Sequence, residues 1–396
     1  MTVTTGVRPI FDLLDPGFYQ ADPQDAYRWM RANEPVYRDE ANGLWAISRH
    51  ADVLAVERRS DIFSSNGCYR AVASPGEINM IAQDDPAHQR QRRLVSSRFT
   101  PRAVRSDDAH MRALIVELVD AVVEHGEMEV VAALAGQLPA RLTARLLGFP
   151  EDRWPDVQSW SERLMRTDMR ERDPQQGEEF MAANMEFVEL LREVLPERMG
   201  CPADDLLSVW AHAEFDGEPM SPAHIVHETG LFIAGGAETT RTVIAHGLRA
   251  FCDHPDQWER LAEDPALVPS AVEEMIRWVT PLNNFFRTAT APTTVGGQAI
   301  EPGDRVILLY PSANRDEAVF DHPDRFDVAR DPNPHLAFGH GTHFCVGANF
   351  ARHELRLLLT ELTSRITNLR ALAEPDVEPN IFARAVRRFP LAFDIR

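Results

Sequence analysis

Apolar residues recur at helical spacing through most of the chain, and this pattern predicts a mainly α-helical protein. The longest such run opens at Ser221-Pro222, a helix-start signal, and continues to about Cys252. At 1.5 Å per residue, roughly 30 residues would form a helix about 45 Å long, which is the width of a domain. A second helical region is expected between residues 108 and 200.

Strand signals are few and short. Residues 36–38 and 44–48 flank Asn42-Gly43, a dipeptide typical of a tight hairpin turn. Residues 295–300 and 305–310 are also strand-like, and residues 63–80 form a long loop of the kind that is usually functional or disordered. No Gly/Ser linker, repeat or low-complexity segment divides the chain. We therefore expect residues 1–396 to form a single domain, mainly α with small β-sheets.

One cysteine lies in a glycine-rich loop, residues 338–347, with the sequence Phe-Gly-His-Gly-Thr-His-Phe-Cys-Val-Gly. A helix-competent apolar run follows at once. Cys345 would therefore lie at the positive end of a helix dipole, which favours the thiolate that binds soft metals. A lone cysteine is more often a buried core residue, so the interpretation depends on the spacing around it.

The long central helix carries two adjacent glycines, Gly235 and Gly236, which cost roughly 1 kcal/mol each relative to alanine. Glu238 and Thr239 follow them in an otherwise apolar helix. A local bend is the simpler account, because threonine can bond back to the carbonyl four residues earlier. The functional account is that the glycines admit a flat cofactor, while Glu238 and Thr239 handle protons.

Two further pairs have helical spacing. His88 and Arg92 are four residues apart, so they share a helix face and would suit an anionic ligand group. A solvated basic face is the alternative. Glu274 and Arg277 are three residues apart and can pair on another helix.

Composition excludes several classes of protein. The 396 residues carry a formal net charge of −20, which argues against general nucleic-acid binding. The four cysteines show no C-x-x-C pattern, so no disulfide framework is indicated, and His343-x-Cys345 has no clustered partners for zinc. No apolar run approaches the roughly 20 residues that span a bilayer, and no signal peptide is evident. We expect a soluble cytoplasmic protein.

Together these motifs resemble the cytochrome P450 family, in particular its soluble bacterial (actinobacterial-type) class, which uses separate redox partners. The cysteine loop matches the family pattern Phe-x-x-Gly-x-x-x-Cys-x-Gly. The resemblance implies a triangular helical prism with haem b (iron protoporphyrin IX) between the long central helix and the cysteine loop. Cys345 would be the axial ligand of the haem iron, and Glu238 and Thr239 would be the catalytic pair that protonates bound oxygen.

The resemblance also assigns the remaining site residues. The expected haem contacts, besides the cysteine, are His88, Arg92, Gly235, Arg287 and His343. The expected structural triad, which would hold the cysteine loop, is Glu274, Arg277 and Arg325. By analogy the substrate pocket is expected to contain Val72, Met80, Leu231, Ala234, Leu282, Asn283, Phe285 and Phe382. This set is mostly apolar and predicts a branched lipid, terpenoid or steroid.

The implied function is a monooxygenase that inserts one oxygen atom of O2 into this hydrophobic substrate. Electrons would come from NAD(P)H through a ferredoxin reductase and a ferredoxin, which an exposed basic patch would attract; that patch would comprise Arg90, Arg93, Arg98 and Arg102. A plain solvated face is the alternative for these arginines. We expect a monomer. Two rival functions are an H2O2-driven peroxygenase and a non-catalytic haem-thiolate sensor or binding protein.

Overall fold

The computed structural model describes residues 8–170, 172–215 and 217–396. The α-helices of this described part are α1 (Pro16–Gln20), α2 (Gln24–Asn33), α3 (His50–Glu57), α4 (Ala87–Ser96), α5 (Pro101–Ser106), α6 (Asp108–Val123), α7 (Gln137–Leu147), α8 (Trp154–Leu164), α9 (Pro174–Gly200), α10 (Leu206–Ala211), α11 (Pro222–Asp253), α12 (Pro255–Glu263), α13 (Val268–Val279), α14 (Tyr310–Ala313) and α15 (Ala348–Arg365). The prediction of a mainly helical protein is confirmed.

The strands are short, as expected. They are β1 (Val36–Asp39), β2 (Leu44–Ile47), β3 (Phe63–Ser64), β4 (Glu127–Glu129), β5 (Glu214–Phe215), β6 (Glu218–Pro219), β7 (Phe285–Ala289), β8 (Thr293–Val295), β9 (Gln298–Ile300), β10 (Arg305–Leu308), β11 (Ile366–Ala371), β12 (Asp376–Val377), β13 (Val386–Arg388) and β14 (Pro390–Ile395).

The largest sheet has the strand order β1-β2-β10-β7-β3. The predicted hairpin pairs β1 with β2 in antiparallel register, and β10 then joins β2 in parallel. Gly43 takes φ +66° in the turn, where glycine has no steric cost. Strand β10 also pairs with β7, so the sheet carries Arg287 of β7 toward the site described below.

Helix α11 is the central element of the fold. Its first turn is capped by Ser221, whose hydroxyl accepts a hydrogen bond from the backbone N–H of His224 at 3.3 Å, and Pro222 occupies the first helical position. Its C-terminal half packs with α6, α13 and α15 in one apolar core, to which Ile244 and Phe251 contribute. Its N-terminal half packs with α8, α9 and α10 in a second core. Burial on both sides stabilises a helix that its internal glycines would weaken in water.

The region between α6 and α9 is less regular than its apolar pattern suggests. A π-helical turn (Val131–Ala135) precedes α7, so the helical region expected between residues 108 and 200 is interrupted here. A Cβ at Gly136 would lie 2.7 Å from the carbonyl oxygen of Val131, so the wider turn brings the backbone too close for a side chain. Helix α8 ends at Leu164, and α9 starts at Pro174, where the Asp173 carboxylate caps it.

Candidate active site

A cavity of about 680 Å³ lies among α4, α11, β7, the cysteine loop and the start of α15. Most of the accessible surface of its walls is apolar. The polar side chains that line it include Cys345, Thr239 and four cationic or imidazole groups. An internal cavity of this size that combines apolar walls with a few convergent polar groups is typical of a binding site for a small molecule or cofactor.

The cysteine loop presents the Cys345 sulfur to this cavity. The Cys345 N–H donates to the carbonyl of Phe338 at 2.9 Å, which closes the loop. Gly341 has φ +69°, and a Cβ there would lie 2.4 Å from the carbonyl oxygen of Glu57. Only glycine fits at that position, because any side chain would meet the backbone of α3. The loop is thus held at a fixed distance from α3.

The protonation of Cys345 depends on opposing effects. The side chain is open to the cavity, but the cavity lies deep inside the protein. Burial raises the pKa of the thiol, and the N–H of Gly347 and the guanidinium of Arg92 only partly oppose this shift. The N–H groups at the start of α15 act in the predicted direction, but burial outweighs them. A bound cation is needed to make the thiolate the stable form.

Four predicted haem-contact side chains meet at one end of the cavity. His88 and Arg92 come from α4, Arg287 from β7 and His343 from the cysteine loop. The two imidazole rings lie 4.3 Å apart. Burial, and next the charge of Arg287, lower the pKa of His343 to about 2, so its ring is neutral at physiological pH. The structure thus brings together residues that are up to 255 positions apart in the chain, since 343 − 88 = 255.

The hydrogen bonds of this group are incomplete within the protein. His88 Nδ1 lies 3.1 Å from an Asp85 carboxylate oxygen, whereas the buried His88 Nε2 has no hydrogen-bond partner. Arg92 donates to the carbonyl of Phe344 at 2.6 Å, and Arg287 donates to the carbonyl of Phe286 at 2.8 Å. A buried polar nitrogen without a partner is costly, and a ligand group that forms a hydrogen bond with it at this end of the cavity would remove that cost.

The two glycines of α11 have different surroundings. A Cβ at Gly235 would meet no heavy atom within 4 Å, so this face of the helix is open to the cavity. A Cβ at Gly236 would lie 2.6 Å from the hydroxyl oxygen of Thr143 on α7. Gly235 therefore leaves room for a ligand, while Gly236 allows close packing between two helices.

Glu238 and Thr239 point in different directions. Thr239 lines the cavity, and its hydroxyl donates to the carbonyl of Gly235 at 2.9 Å, which is the back-bond expected from the simpler account. Glu238 is buried, is not part of the cavity wall and has a carboxylate oxygen 3.3 Å from Arg241. Burial raises the pKa of Glu238 to about 7, although the Arg241 charge opposes this. The position of the Thr239 hydroxyl therefore fits both accounts, the local helix bend and the handling of protons.

The structure pairs two of the three residues predicted for the triad. Glu274 and Arg277 are fully buried and form a bidentate pair with distances of 2.7 and 2.8 Å. The second guanidinium on Glu274 belongs to Arg330, whose Nε lies 3.0 and 3.2 Å from the two carboxylate oxygens. The prediction of Arg325 was wrong: it contributes its backbone carbonyl, which accepts from Arg277 and Arg330, while its side chain is exposed.

Most of the predicted pocket residues line the cavity. They are Met80, Leu231, Ala234, Leu282, Phe285 and Phe382. Two predictions are wrong. Val72 is not in the cavity wall, and its N–H is bonded to the Asp168 carboxylate at 3.1 Å. Asn283 is buried with its amide nitrogen donating to the carbonyls of residues 380 and 381, so it ties two segments together instead of facing a ligand.

Sequence reasoning missed other polar groups in the cavity wall. Glu57, Tyr310, Arg70 and Glu354 all line it. None of them belongs to a recognisable local motif, and their positions depend on distant contacts. Glu354 is fully enclosed. Burial raises the pKa of its carboxyl to about 8, and no charged side chain contributes to this shift.

The described part of the chain also bears on the zinc and membrane alternatives. Within residues 8–170, 172–215 and 217–396, no group of three or more His, Cys, Asp or Glu side chains is placed to hold a metal ion. In the same residues, none of the helices is long and apolar enough to cross a membrane. Among these described residues, a zinc site built on His343 and Cys345 therefore finds no further ligands.

The geometry fits a flat, anionic, metal-containing ring. The cavity offers a single thiol, an open glycine face on α11, and Arg92, Arg287 and an unpartnered His88 nitrogen at one end. These are the groups that an iron porphyrin needs: an axial sulfur ligand, space along a helix, and cations for two propionates.

Comparison with known proteins agrees with this fit. A family model described as Cytochrome P450 matches residues 144–379. The chain is 40% identical to a steroid C26-monooxygenase of Mycobacterium tuberculosis, with 97% of each chain covered. It is 34% identical to a linalool 8-monooxygenase of Pseudomonas putida, covering 90% of this chain and 92% of that protein.

The solved structures give the same result. The Mycobacterium marinum cytochrome P450 CYP268A2, in complex with pseudoionone, superposes with a TM-score of 0.90 at 32% identity, covering 98% of this chain and 100% of that one. The family model covers residues 144–379, and the relatives and the fold agree with it over nearly the whole chain. The chain therefore belongs to the cytochrome P450 family of haem-binding monooxygenases.

Proposed function

We propose that this cytochrome P450 monooxygenase binds haem b, with Cys345 as the axial ligand of its iron, and oxidises a branched lipid, terpenoid or steroid. The observation that carries the proposal is the Cys345 sulfur, which lies in an apolar cavity whose polar end holds Arg92, Arg287 and an unpartnered His88 nitrogen. When bound, the haem supplies activation of O2, and a thiolate ligand favours cleavage of the O–O bond.

The polar end of the cavity would hold the haem propionates. The guanidinium groups of Arg92 and Arg287 can form charge-assisted hydrogen bonds with carboxylates. His343 is neutral because burial lowers its pKa to about 2, so it would act as a hydrogen-bond donor. His88 has Nδ1 beside the Asp85 carboxylate, so only the protonated ring could also donate from Nε2. The two guanidinium groups and the His343 N–H would then face two carboxylates.

Glu238 and Thr239 would manage protons. Thr239 is the hydroxyl of the pair that faces the cavity, and its bond to the Gly235 carbonyl fixes its oxygen. Glu238 has a pKa raised to about 7 by burial, so it both binds and releases a proton near neutral pH. Its neighbour Arg241 also pairs with Glu162, and this chain of ionic groups leads from Glu238 toward a half-exposed carboxylate.

The substrate class follows from the cavity walls. Leu231 and Ala234 on α11, with Leu282, Phe285 and Phe382, give an apolar surface that suits a hydrocarbon skeleton. The curated relatives support this choice, since their names describe action on a steroid and on linalool. The structure of one relative was solved in complex with pseudoionone. Transfer of the hydrophobic skeleton from water would be the main driving force for binding.

Separate redox partners would deliver the electrons, as is typical of bacterial members of the family. We propose NAD(P)H, a ferredoxin reductase and a ferredoxin that docks on the basic face near α4 and α5. Arg93 and Arg102 are exposed on this face, whereas Arg98 is paired with Asp204 and adds less positive charge. Against a net charge of −20, a local basic surface would steer an acidic partner. We also propose that residues 1–396 form a single domain and that the protein is a cytoplasmic monomer.

The first test is the absorption spectrum of the dithionite-reduced protein with carbon monoxide. Wild type should show the red-shifted Soret band of thiolate-bound haem, and Cys345→Ala should lack it. Cys201→Ala is the matched control, because Cys201 is exposed and outside the cavity wall, and it should keep the band. A folded wild type without haem, or with the unshifted band, would contradict the proposal.

The same preparation separates the rival functions. Product formed with NAD(P)H, ferredoxin and its reductase, from a panel of steroids, terpenoids and branched lipids, would support the monooxygenase. Turnover with hydrogen peroxide alone would instead indicate the peroxygenase. Tight ligand binding without product in either system would indicate a sensor or binding protein.

A further inference from the structure

Glu57, the last residue of α3, contacts three separate elements around the cavity. Its side chain is only 2% exposed. One carboxylate oxygen accepts a hydrogen bond from the Tyr310 hydroxyl and lies 3.5 Å from a terminal nitrogen of Arg287. The other oxygen accepts from the backbone N–H of His340 at 3.3 Å. One buried carboxyl therefore connects α3 with α14, β7 and the cysteine loop.

The backbone of Glu57 reinforces the contact with the cysteine loop. Its carbonyl oxygen would lie 2.4 Å from a Cβ at Gly341, so the two backbones pack without space for a side chain. Next to this contact, Arg58 donates to the His340 ring at 3.3 Å. The position of the loop that carries Cys345 thus depends on where α3 ends.

The charge of Glu57 also matters, because it lies beside the groups that would hold the haem propionates. At this end of the cavity, the positive charge comes from the guanidinium groups of Arg92 and Arg287. One terminal nitrogen of Arg287 donates to the Phe286 carbonyl, and the other lies 3.5 Å from a carboxylate oxygen of Glu57. A propionate at this end would share Arg287 with a second carboxylate.

We infer that Glu57 is a positioning residue that fixes Arg287 and the cysteine loop, and that its negative charge lowers the reduction potential of the haem. The inference rests on the proposed function, because it needs haem bound at Cys345. One-electron reduction of the ferric iron adds one negative charge to a buried site. A fixed carboxylate nearby opposes the added negative charge. Because this carboxylate also interacts with Arg287, less of the positive charge of Arg287 is available to compensate the propionate.

The test is a potentiometric titration of the haem-loaded protein with dithionite at a pH slightly below neutral. Glu57→Gln preserves the shape of the side chain and removes its charge. It should shift the one-electron equilibrium about tenfold toward the reduced form, which corresponds to about 59 mV. The carbon monoxide spectrum of the same variant should keep the thiolate band, so that the shift cannot come from loss of the ligand.

Two variants separate charge from structure. Glu354→Gln is the matched control: Glu354 is also an enclosed carboxyl in the cavity wall, but its pKa of about 8 keeps it neutral, so the substitution should leave the potential unchanged. Tyr310→Phe removes the hydroxyl that donates to Glu57 and leaves the carboxylate less compensated. Tyr310→Phe should therefore lower the reduction potential or leave it unchanged. A purely structural role of Glu57 predicts instead that Tyr310→Phe and Glu57→Gln shift the potential in the same direction.

The outcomes distinguish this inference from the proposed function. A wild type without thiolate-bound haem refutes the proposed function and this inference with it. A wild type with thiolate-bound haem whose potential equals that of Glu57→Gln overturns the role of Glu57 alone. If Glu57→Gln fails to retain haem, Glu57→Asp replaces it. The shorter side chain withdraws from Arg287, so the potential should still rise by a smaller amount, and an unchanged potential would overturn the inference.

Discussion

Replacing Arg330 with methionine tests the buried network around Glu274. Arg330 Nε lies 3.0 and 3.2 Å from the carboxylate oxygens, and its side chain is 9% exposed. Its terminal nitrogens donate to the carbonyls of Asp321 and Arg325, each at 2.8 Å. Methionine keeps much of the side-chain length but removes the charge and all of these donors. Glu274 would then depend on Arg277 for its compensating charge.

The expected loss of stability follows from this geometry. Removing one partner of a buried ion pair costs about 3–5 kcal/mol. Because Arg277 and the N–H of Asp327 still donate to Glu274, we expect the lower end, about 3 kcal/mol. With an unfolding entropy of about 2.1 cal/mol/K per residue, 396 residues give about 0.8 kcal/mol/K, and the Tm should fall by about 4 °C.

Thermal unfolding of the haem-loaded protein, followed by far-UV circular dichroism and by Soret absorbance, measures this loss. Arg325→Met is the matched control, because only the backbone carbonyl of Arg325 takes part in the network and its side chain is exposed. It should change the free energy of unfolding by less than about 0.5 kcal/mol. Equal shifts for the two variants, or no shift for Arg330→Met, would refute the assignment of Arg330 to the network.

Three further predictions concern the cavity. Gly341→Ala should abolish the thiolate carbon monoxide band, because its Cβ would lie 2.4 Å from the Glu57 carbonyl at φ +69°, whereas Gly43→Ala, at φ +66° with no atom near, should keep the band. Burial raises the pKa of Glu354 to about 8, so the stability of wild type should fall as the pH rises from about 4.3 to about 8. Glu354→Gln should remove this pH dependence. A profile of Tm against pH that is the same in the variant and in wild type would contradict this prediction. Thr239→Ala should lower product formed per NAD(P)H consumed by about tenfold, the effect of losing about 1.4 kcal/mol, and raise hydrogen peroxide, while Thr239→Ser should retain coupling; equal coupling in all three proteins would argue against a proton role.

The substrate-pocket predictions show where sequence reasoning reached its limit. Leu231 and Ala234 both line the cavity, and both lie on one face of a long, regular helix. Val72 and Asn283 lie in loop segments, where no periodicity fixes the direction of a side chain. Their backbone and amide groups are instead bonded to Asp168 and to residues 380 and 381. Such contacts between distant segments leave no local trace in the sequence.

The triad shows the same limit. The spacing of Glu274 and Arg277 on α13 predicts their pairing, because residues three apart on a helix are neighbours. The third member comes from an irregular segment with arginines at both 325 and 330. Only the folded path of that segment decides that Arg330 turns inward while Arg325 offers its carbonyl.

The sequence by itself determined the helical class of this protein, its long central helix, the cysteine loop and the residues most directly tied to local motifs. Helix periodicity, turn chemistry and fixed motif spacing depend on residues that are close together in the chain, so they can be recognised from the sequence. The tertiary structure alone decided that Glu57 joins Arg287 and the cysteine loop, that Glu238 turns away from the cavity, and that burial raises the pKa of Cys345. These properties depend on burial and on charges brought together from distant parts of the chain, which only the packed fold specifies.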